Sequence, residues 1–178
     1  FLSDPGRAPQ LLLSDAVLKP EEVVVGFYTH RSRSDILGLR SADALRGLRY
    51  AVGAHWKVDR QLLEQRGWTQ VPADDWHSAL RLVKAGRADA ILQPFSARAD
   101  LAMGELGPEA EYVPVPGFRA AFGQARHFLF SASHPDGPWL RQHLNRGLEV
   151  LRRSGRLEGL WRASGVLNRQ TESWTWVK

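Results

Sequence analysis

The chain of 178 residues contains no cysteine, which excludes a disulfide framework, a cysteine-ligated zinc and a cysteine nucleophile. That lack says little about compartment. No run of 18 or more apolar residues occurs, so no transmembrane helix and no membrane insertion are expected. The six histidines form neither a His-x-x-x-His pair nor an HExxH motif, so a metal bound from one helix face is not expected. A GxSxG elbow, a P-loop and a GxGxxG fingerprint are equally missing, and no cofactor is expected. The net charge of +5 is not concentrated in any Lys/Arg run interleaved with aromatics, so nucleic acid is not expected as a partner. Its densest cluster, Arg146, Arg152, Arg153 and Arg156, reads as the solvated face of a helix. The first residues carry no basic n-region and apolar h-region, and the chain opens on Phe1 rather than Met. The expectation is a removed leader or a fragment.

What the chain does have is a hydrophobic fraction of 43%, enough for a core, and a clear alternation of period between Leu48 and Pro116. Leu48–Val52 is a short apolar run ending at Gly53, and His55–Gln65 is helical in pattern with Val58, Leu62 and Leu63 on one face. Thr69–Val71 reads as a strand. Asp74-Asp75 then reads as a cap for a helix whose stripe is Trp76, Ala79, Leu80, Leu82 and Val83. Ala88–Leu92 reads as a buried strand, Ala97–Leu106 as a short helical piece and Tyr112–Val115 as a last strand. Alternating short strands and helices predict an α/β unit with a parallel-dominated sheet flanked by helices.

Outside that unit, Phe1–Pro20 reads as a connecting segment with one short strand near Leu11-Leu12-Leu13, and Glu22–Tyr28 as a strand of β-branched and aromatic residues. Arg31–Asp35 reads as loop, and Ser41 caps a short helical turn. Phe118–Gln124 reads as loop and His127–Ser131 as a strand. A long helix carrying Leu140, Leu144, Leu148 and Leu151 follows, then a second helix from Leu157 to Ala163. Trp174 to Val177 is either a short strand or a pinned arm.

The order of these pieces resembles the solute-binding proteins of amino-acid-type ABC transporters (family 3), which have the type 2 periplasmic-binding fold. Leu39-Arg40-Ser41-Ala42-Asp43-Ala44-Leu45-Arg46-Gly47-Leu48-Arg49-Tyr50-Ala51-Val52-Gly53 is similar to the family's entry to its second lobe. Asp75-Trp76-His77-Ser78-Ala79-Leu80 through Gly86-Arg87-Ala88-Asp89-Ala90-Ile91-Leu92 is similar to the segment that ends "sGrvDavl". Arg153-Ser154-Gly155-Arg156-Leu157 with Leu160-Trp161 is similar to the family's closing helices, and Phe1–Pro5 to the exit from its first lobe. The resemblance implies a connecting segment over 1–25, an α/β second lobe over 26–117 and a hinge return with C-terminal helices over 118–178. It also implies that most of a first lobe has no counterpart here, so the apolar face of the Leu140–Leu151 helix must be covered by something else. The implied protein is periplasmic, captures a small polar solute (amino-acid-like or an organic acid), and delivers it to an ABC permease or a sensor kinase.

Ligands of open α/β sheets sit beyond the carboxyl ends of the strands, often at a helix N-terminus. That places Gly53, Ala54, His55 and Trp56 on one wall, where free N–H groups would suit an anion. A turn glycine and a capping histidine are an equally good account of Gly53 and His55. Gln93 and Ser96 follow the Ala88–Leu92 strand, and the position where the family often carries an ammonium-binding Asp falls on Pro94. The resemblance therefore turns the expectation toward a neutral or anionic solute. Tyr28, near the implied hinge, either stacks on a ligand or completes the core, and core is the favoured reading. Trp76 and Trp161 read as packing. An enzyme on the same scaffold, dehydratase-like with His55 as its acid, and a non-binding sensor or scaffold module are the alternatives.

Overall fold

The computed structural model describes residues 11–178, and the likeness at Phe1–Pro5 lies outside them. The longest strand, β2 (Val24–His30), organises the sheet, and six of its seven residues are buried. Burial on both faces explains its β-branched and aromatic composition. Gly26 is required within it, because a Cβ there would lie 2.5 Å from the Phe95 ring. On one edge β2 pairs antiparallel with β5 (Ile91–Pro94). Its other edge is shared by β6 (Tyr112–Pro114) and β7 (Phe118–Ala121), both antiparallel, with the chain turning at Gly117 between them. β9 (Thr175–Trp176) adds in parallel to β7.

The parallel part is a βαβ unit. β3 (Arg49–Gly53) runs in register with β4 (Thr69–Ala73), and α3 (Lys57–Gln65) is the crossover that parallel neighbours need. A parallel bridge between Tyr50 and Ala90 joins β3 to the chain entering β5. α4 (Trp76–Lys84) covers the unit with Ala79, Leu80 and Val83. Its start is fixed as the sequence suggests, since the Asp75 carboxylate accepts the Ser78 N–H at 2.6 Å. Ser41 likewise caps α2 (Ala42–Arg46), accepting from the Ala44 N–H at 3.2 Å. Phe27, Tyr50 and Trp68 pack together at ring separations of 5.2–6.1 Å and centre the larger core.

Helices flank the sheet strands, and the α/β class stands. Strand directions are more antiparallel than the alternating pattern predicts. Among the described residues parallel pairing is confined to β3 with β4, β7 with β9 and the Tyr50–Ala90 bridge, because β2 enters from outside the alternating unit and runs against β5, β6 and β7. The expected helix at Ala97–Leu106 does not form. That stretch is bends and turns held by Asp100, which accepts from the Ala102 N–H and from Arg98. Leu101 there has a positive φ of 57° and no apolar stripe directs a helix. The expected loops at Arg31–Asp35 and Phe118–Gln124 instead contain a one-turn helix, α1 (Ser34–Leu37), and the strand β7.

A second, thinner layer is built by β1 (Leu11–Leu13), β8 (Leu129–Ser131), α5 (Gly137–Arg153) and α6 (Arg156–Ala163). β1 and β8 pair antiparallel. The layer's own core is small: Val17, Leu148 and Leu157 are buried, with Leu144, Leu151 and Trp161 partly so. Phe128, Leu129, Trp139 and Leu140 remain 43–56% exposed. Among the described residues no helix is long and apolar enough to cross a membrane.

Candidate functional site

The carboxyl ends of β3, β4 and β5 converge on one edge of the sheet. At the end of β3, Gly53 is buried and the Trp56 indole lies across it. A Cβ on residue 53 would sit 2.5–2.7 Å from three atoms of that ring, so the glycine is the seat of the tryptophan. Trp56 is the N-cap residue of α3, and Asp59 stands in the helix's first turn. From the end of β4 the chain passes Asp74-Asp75 and places Trp76 at the first position of α4. The two indoles approach to 5.7 Å between centroids at 42°. The Trp76 Nε1–H donates to Glu109 Oε1 at 2.6 Å, which fixes its polar edge and leaves a ring face toward the cleft. Gln93, in register with Gly26 of β2, completes the wall. The result is an open cleft of about 410 Å³ lined by Trp56, Asp59, Trp76 and Gln93.

The cleft's electrostatics are set by Asp59. Burial pushes its carboxyl above the ordinary value, opposed by its own backbone N–H and by the charge of Arg126. Its surroundings on the protein side are apolar, with Tyr50, Trp56, Leu63, Ile91 and Leu92 around a void of about 10 Å³. Among the described residues no Lys or Arg makes a salt bridge to it. The Gln93 amide makes no hydrogen bond among the described residues either, so its donor and acceptor are available.

The residues singled out in the sequence divide between the cleft and other places. Trp56 and Gln93 line the cleft, and Gly53 supports it from below. Ala54 and His55 are exposed and stand outside it. Two of the N–H groups at this turn are committed within the fold. The Ala54 N–H donates to the Ala73 carbonyl at 2.9 Å and the Trp56 N–H to the Gly53 carbonyl at 3.0 Å, and Asp59 stands in the first turn of the helix. Ser96 turns away: its Oγ accepts from the Arg98 N–H at 3.4 Å and its carbonyl accepts from Asn168 Nδ2 at 2.7 Å. Tyr28 is fully buried beside Phe95, with its hydroxyl donating to the Pro94 carbonyl at 3.4 Å, and so it belongs to the core rather than the cleft.

Asp59 and Trp76 were not anticipated as cleft residues. The spacing Trp56-x-x-Asp59, one helical turn apart at a strand's carboxyl end, is the signal that could have found the first. Trp76 has no local signature, since its place depends on Glu109 from a distant turn. Two other hollows carry less chemistry. One of about 480 Å³ lies along α4 and is lined by exposed polar groups such as Asp74 and Arg81. One of about 70 Å³ is bordered by Arg162 and Glu172, which pair with each other. Among the described residues no group of three or more metal-binding side chains occurs.

No protein-family model and no curated protein matches the chain. Solved structures do. The probable amino-acid ABC transporter extracellular-binding protein ytmK from Bacillus subtilis is similar over 92% of this chain and 67% of its own, at 17% identity and a TM-score of 0.58. An arginine transport-system periplasmic binding protein from Legionella pneumophila matches over 90% and 68%, at 17% identity and a TM-score of 0.56. The ligand-binding core of GluR0, in complex with L-glutamate, matches over 90% and 67%, at 12% identity and a TM-score of 0.55. The chain thus has the fold of these binding proteins and spans about two thirds of their length.

Proposed function

We propose that this chain captures a small polar solute at the Trp56–Trp76 cleft, as an extracytoplasmic, periplasmic binding protein serving an ABC permease or a sensor kinase. The observation that carries the reading is the cleft itself. Two neighbouring indoles tilted at 42°, a half-buried carboxylate and an uncommitted amide meet where open α/β sheets bind ligands. The likeness to amino-acid-binding proteins supports the same reading through the fold. The dehydratase-like alternative rests on His55, which is exposed and does not line the cleft.

We infer also that the thin layer is the seat of a first lobe. Among the described residues, Phe128, Leu129, Trp139 and Leu140 are about half exposed on a layer whose buried cluster is Val17, Leu148 and Leu157, and covering such a side chain completely is worth up to roughly 1.5–3 kcal/mol. The similar structures are longer than this chain, which covers 67–68% of each. Solute capture would then proceed by closure, the ligand binding more tightly to the closed arrangement and shifting the population toward it.

The test is a thermal-shift panel of amino acids, sugars, polyamines and small organic acids, with the native mass measured on the same sample. A solute at about 100 times its dissociation constant adds about 2.7 kcal/mol. For a chain of this size that raises the midpoint by several degrees, at about 2–4 °C per kcal/mol. A hit that Trp56→Ala abolishes supports capture at the cleft. A panel without any response overturns it.

A further inference from the structure

The cleft's composition selects for charge. A ligand carrying a carboxylate would have to approach Asp59 with no Lys or Arg lining the cleft to receive it, and the Ala54 and Trp56 N–H groups already donate to the Ala73 and Gly53 carbonyls. A neutral apolar ligand would cover the Asp59 carboxylate and strip away its remaining water without offering a partner, which is costly for any charged group. A cation meets neither objection.

Three features favour it directly. The faces of Trp56 and Trp76 carry the negative part of the indole quadrupole, and tryptophan is the strongest of the aromatic side chains in attracting a cation. Among the described residues the chain's own arginines lie over Trp68, Trp176 and Phe122, at 4.2–4.9 Å, and not over these two rings. Glu109, holding the Trp76 Nε1–H at 2.6 Å, adds a second carboxylate beside the ring and keeps its N–H edge away from an incoming positive charge.

Resting on the solute-capture reading above, we propose that the cleft takes an organic cation, an ammonium, methylated ammonium or guanidinium group, against Trp56 and Trp76 with Asp59 as its counter-ion. Gln93 is placed to hydrogen-bond a neutral polar portion of the same molecule. In the free protein the Asp59 carboxyl is pushed up by burial and lacks a salt bridge among the described residues. The fold offers Asp59 the charge of Arg126 without a salt bridge, and the bound cation is its direct partner.

The inference separates cleanly from the reading it rests on if charged and neutral isosteres are compared. We would titrate choline against 3,3-dimethylbutan-1-ol and butylguanidinium against butylurea, with succinate as the anion, following calorimetry and thermal shift. Choline or butylguanidinium should bind at least tenfold more tightly than its neutral counterpart. Asp59→Asn should weaken that cation at least tenfold while the free variant melts no lower than the parent, since an unpaired charge has been removed. Trp76→Leu should weaken the same cation, and Lys57→Gln on the outer side of α3 should not. Binding of butylurea, the alcohol or succinate as tightly as the cations, and lost in Trp56→Ala, would overturn the cation and leave solute capture standing. An Asp59→Asn variant that keeps full cation affinity would also overturn it. Silence from every probe, together with an empty panel, would remove both.

Discussion

Asp89 is the place where a single substitution should cost the most for a stated reason. It is 8% exposed and lies just ahead of β5, where its carboxylate receives Arg49 Nε at 2.9 Å, Arg49 Nη2 at 2.8 Å, Arg33 Nη2 at 3.1 Å and the Arg49 backbone N–H at 3.0 Å. Burial alone would raise its carboxyl, but the hydrogen bonds from the Arg49 side chain, the Arg49 backbone and Arg33 outweigh it and bring the pKa down to about 2. A carboxyl lowered by roughly two units from its unfolded value contributes about 2.5 kcal/mol at neutral pH, at about 1.4 kcal/mol per unit. Arg49 is 45% exposed, so part of that attraction is screened, yet Asp89→Ala also leaves the Arg49 backbone N–H without its acceptor, while Arg33 keeps its pair with Asp35. The two corrections oppose each other, and a loss of about 2–3 kcal/mol at pH 7 is expected, a fall in midpoint of about 4–12 °C. The pH sign follows from the depressed pKa. The contribution is complete above about pH 5 and is lost as pH falls through about 4 toward 2. Urea unfolding of parent and Asp89→Ala at pH 7 and pH 2.5 checks it. A gap below about 0.5 kcal/mol at pH 7, or one that stays constant down to pH 2.5, would refute the reasoning.

Three further outcomes follow from the geometry. Gly53→Ala should displace the Trp56 indole from its seat, abolish the ligand-induced thermal shift and lower the free protein's midpoint by only about 2–4 °C, because a half-buried ring can swing outward. Glu109→Ala should free the Trp76 Nε1–H, cost about 1.5–3 kcal/mol in urea unfolding and weaken ligand binding without abolishing it. The double variant Trp139→Lys with Leu140→Lys should reduce the fluorescence of the apolar dye ANS bound to the chain while leaving its urea midpoint nearly unchanged, since both residues are largely exposed.

Much of the fold was legible because its signals are local. The caps at Ser41 and Asp75, the stripe of α4 and the buried strands β2 and β3 are each written within a few residues. The Ala97–Leu106 stretch misled because nothing near it in sequence announces that Asp100 will take Arg31 and Arg98 instead of starting a helix. The site was half legible. Trp56 and Gln93 follow from the rule about strand ends, whereas Ser96 depends on Asn168, 72 residues away. The expectation of a neutral or anionic solute came from the strand-end turn and from Pro94, without sight of Asp59. The structure uses the Ala54 N–H to join β3 to β4 and the Trp56 N–H to close the turn, and sets Asp59 one turn into the helix beside the cleft.

Arg152 gives the thin layer a mechanical role. From the last turn of α5 its guanidinium reaches the Glu22 carboxylate at 2.9 Å and the carbonyls of Ala16 and Val17 at 3.0 Å. Glu22 closes the short 3-10 turn two residues before β2, and its other oxygen accepts the Lys19 N–H at 2.7 Å. One rigid fork on the long helix therefore grips the chain at the root of the central strand. A protein that seizes the outer face of α5 would be holding a lever whose short arm ends at β2, with Gln93 on the adjoining strand.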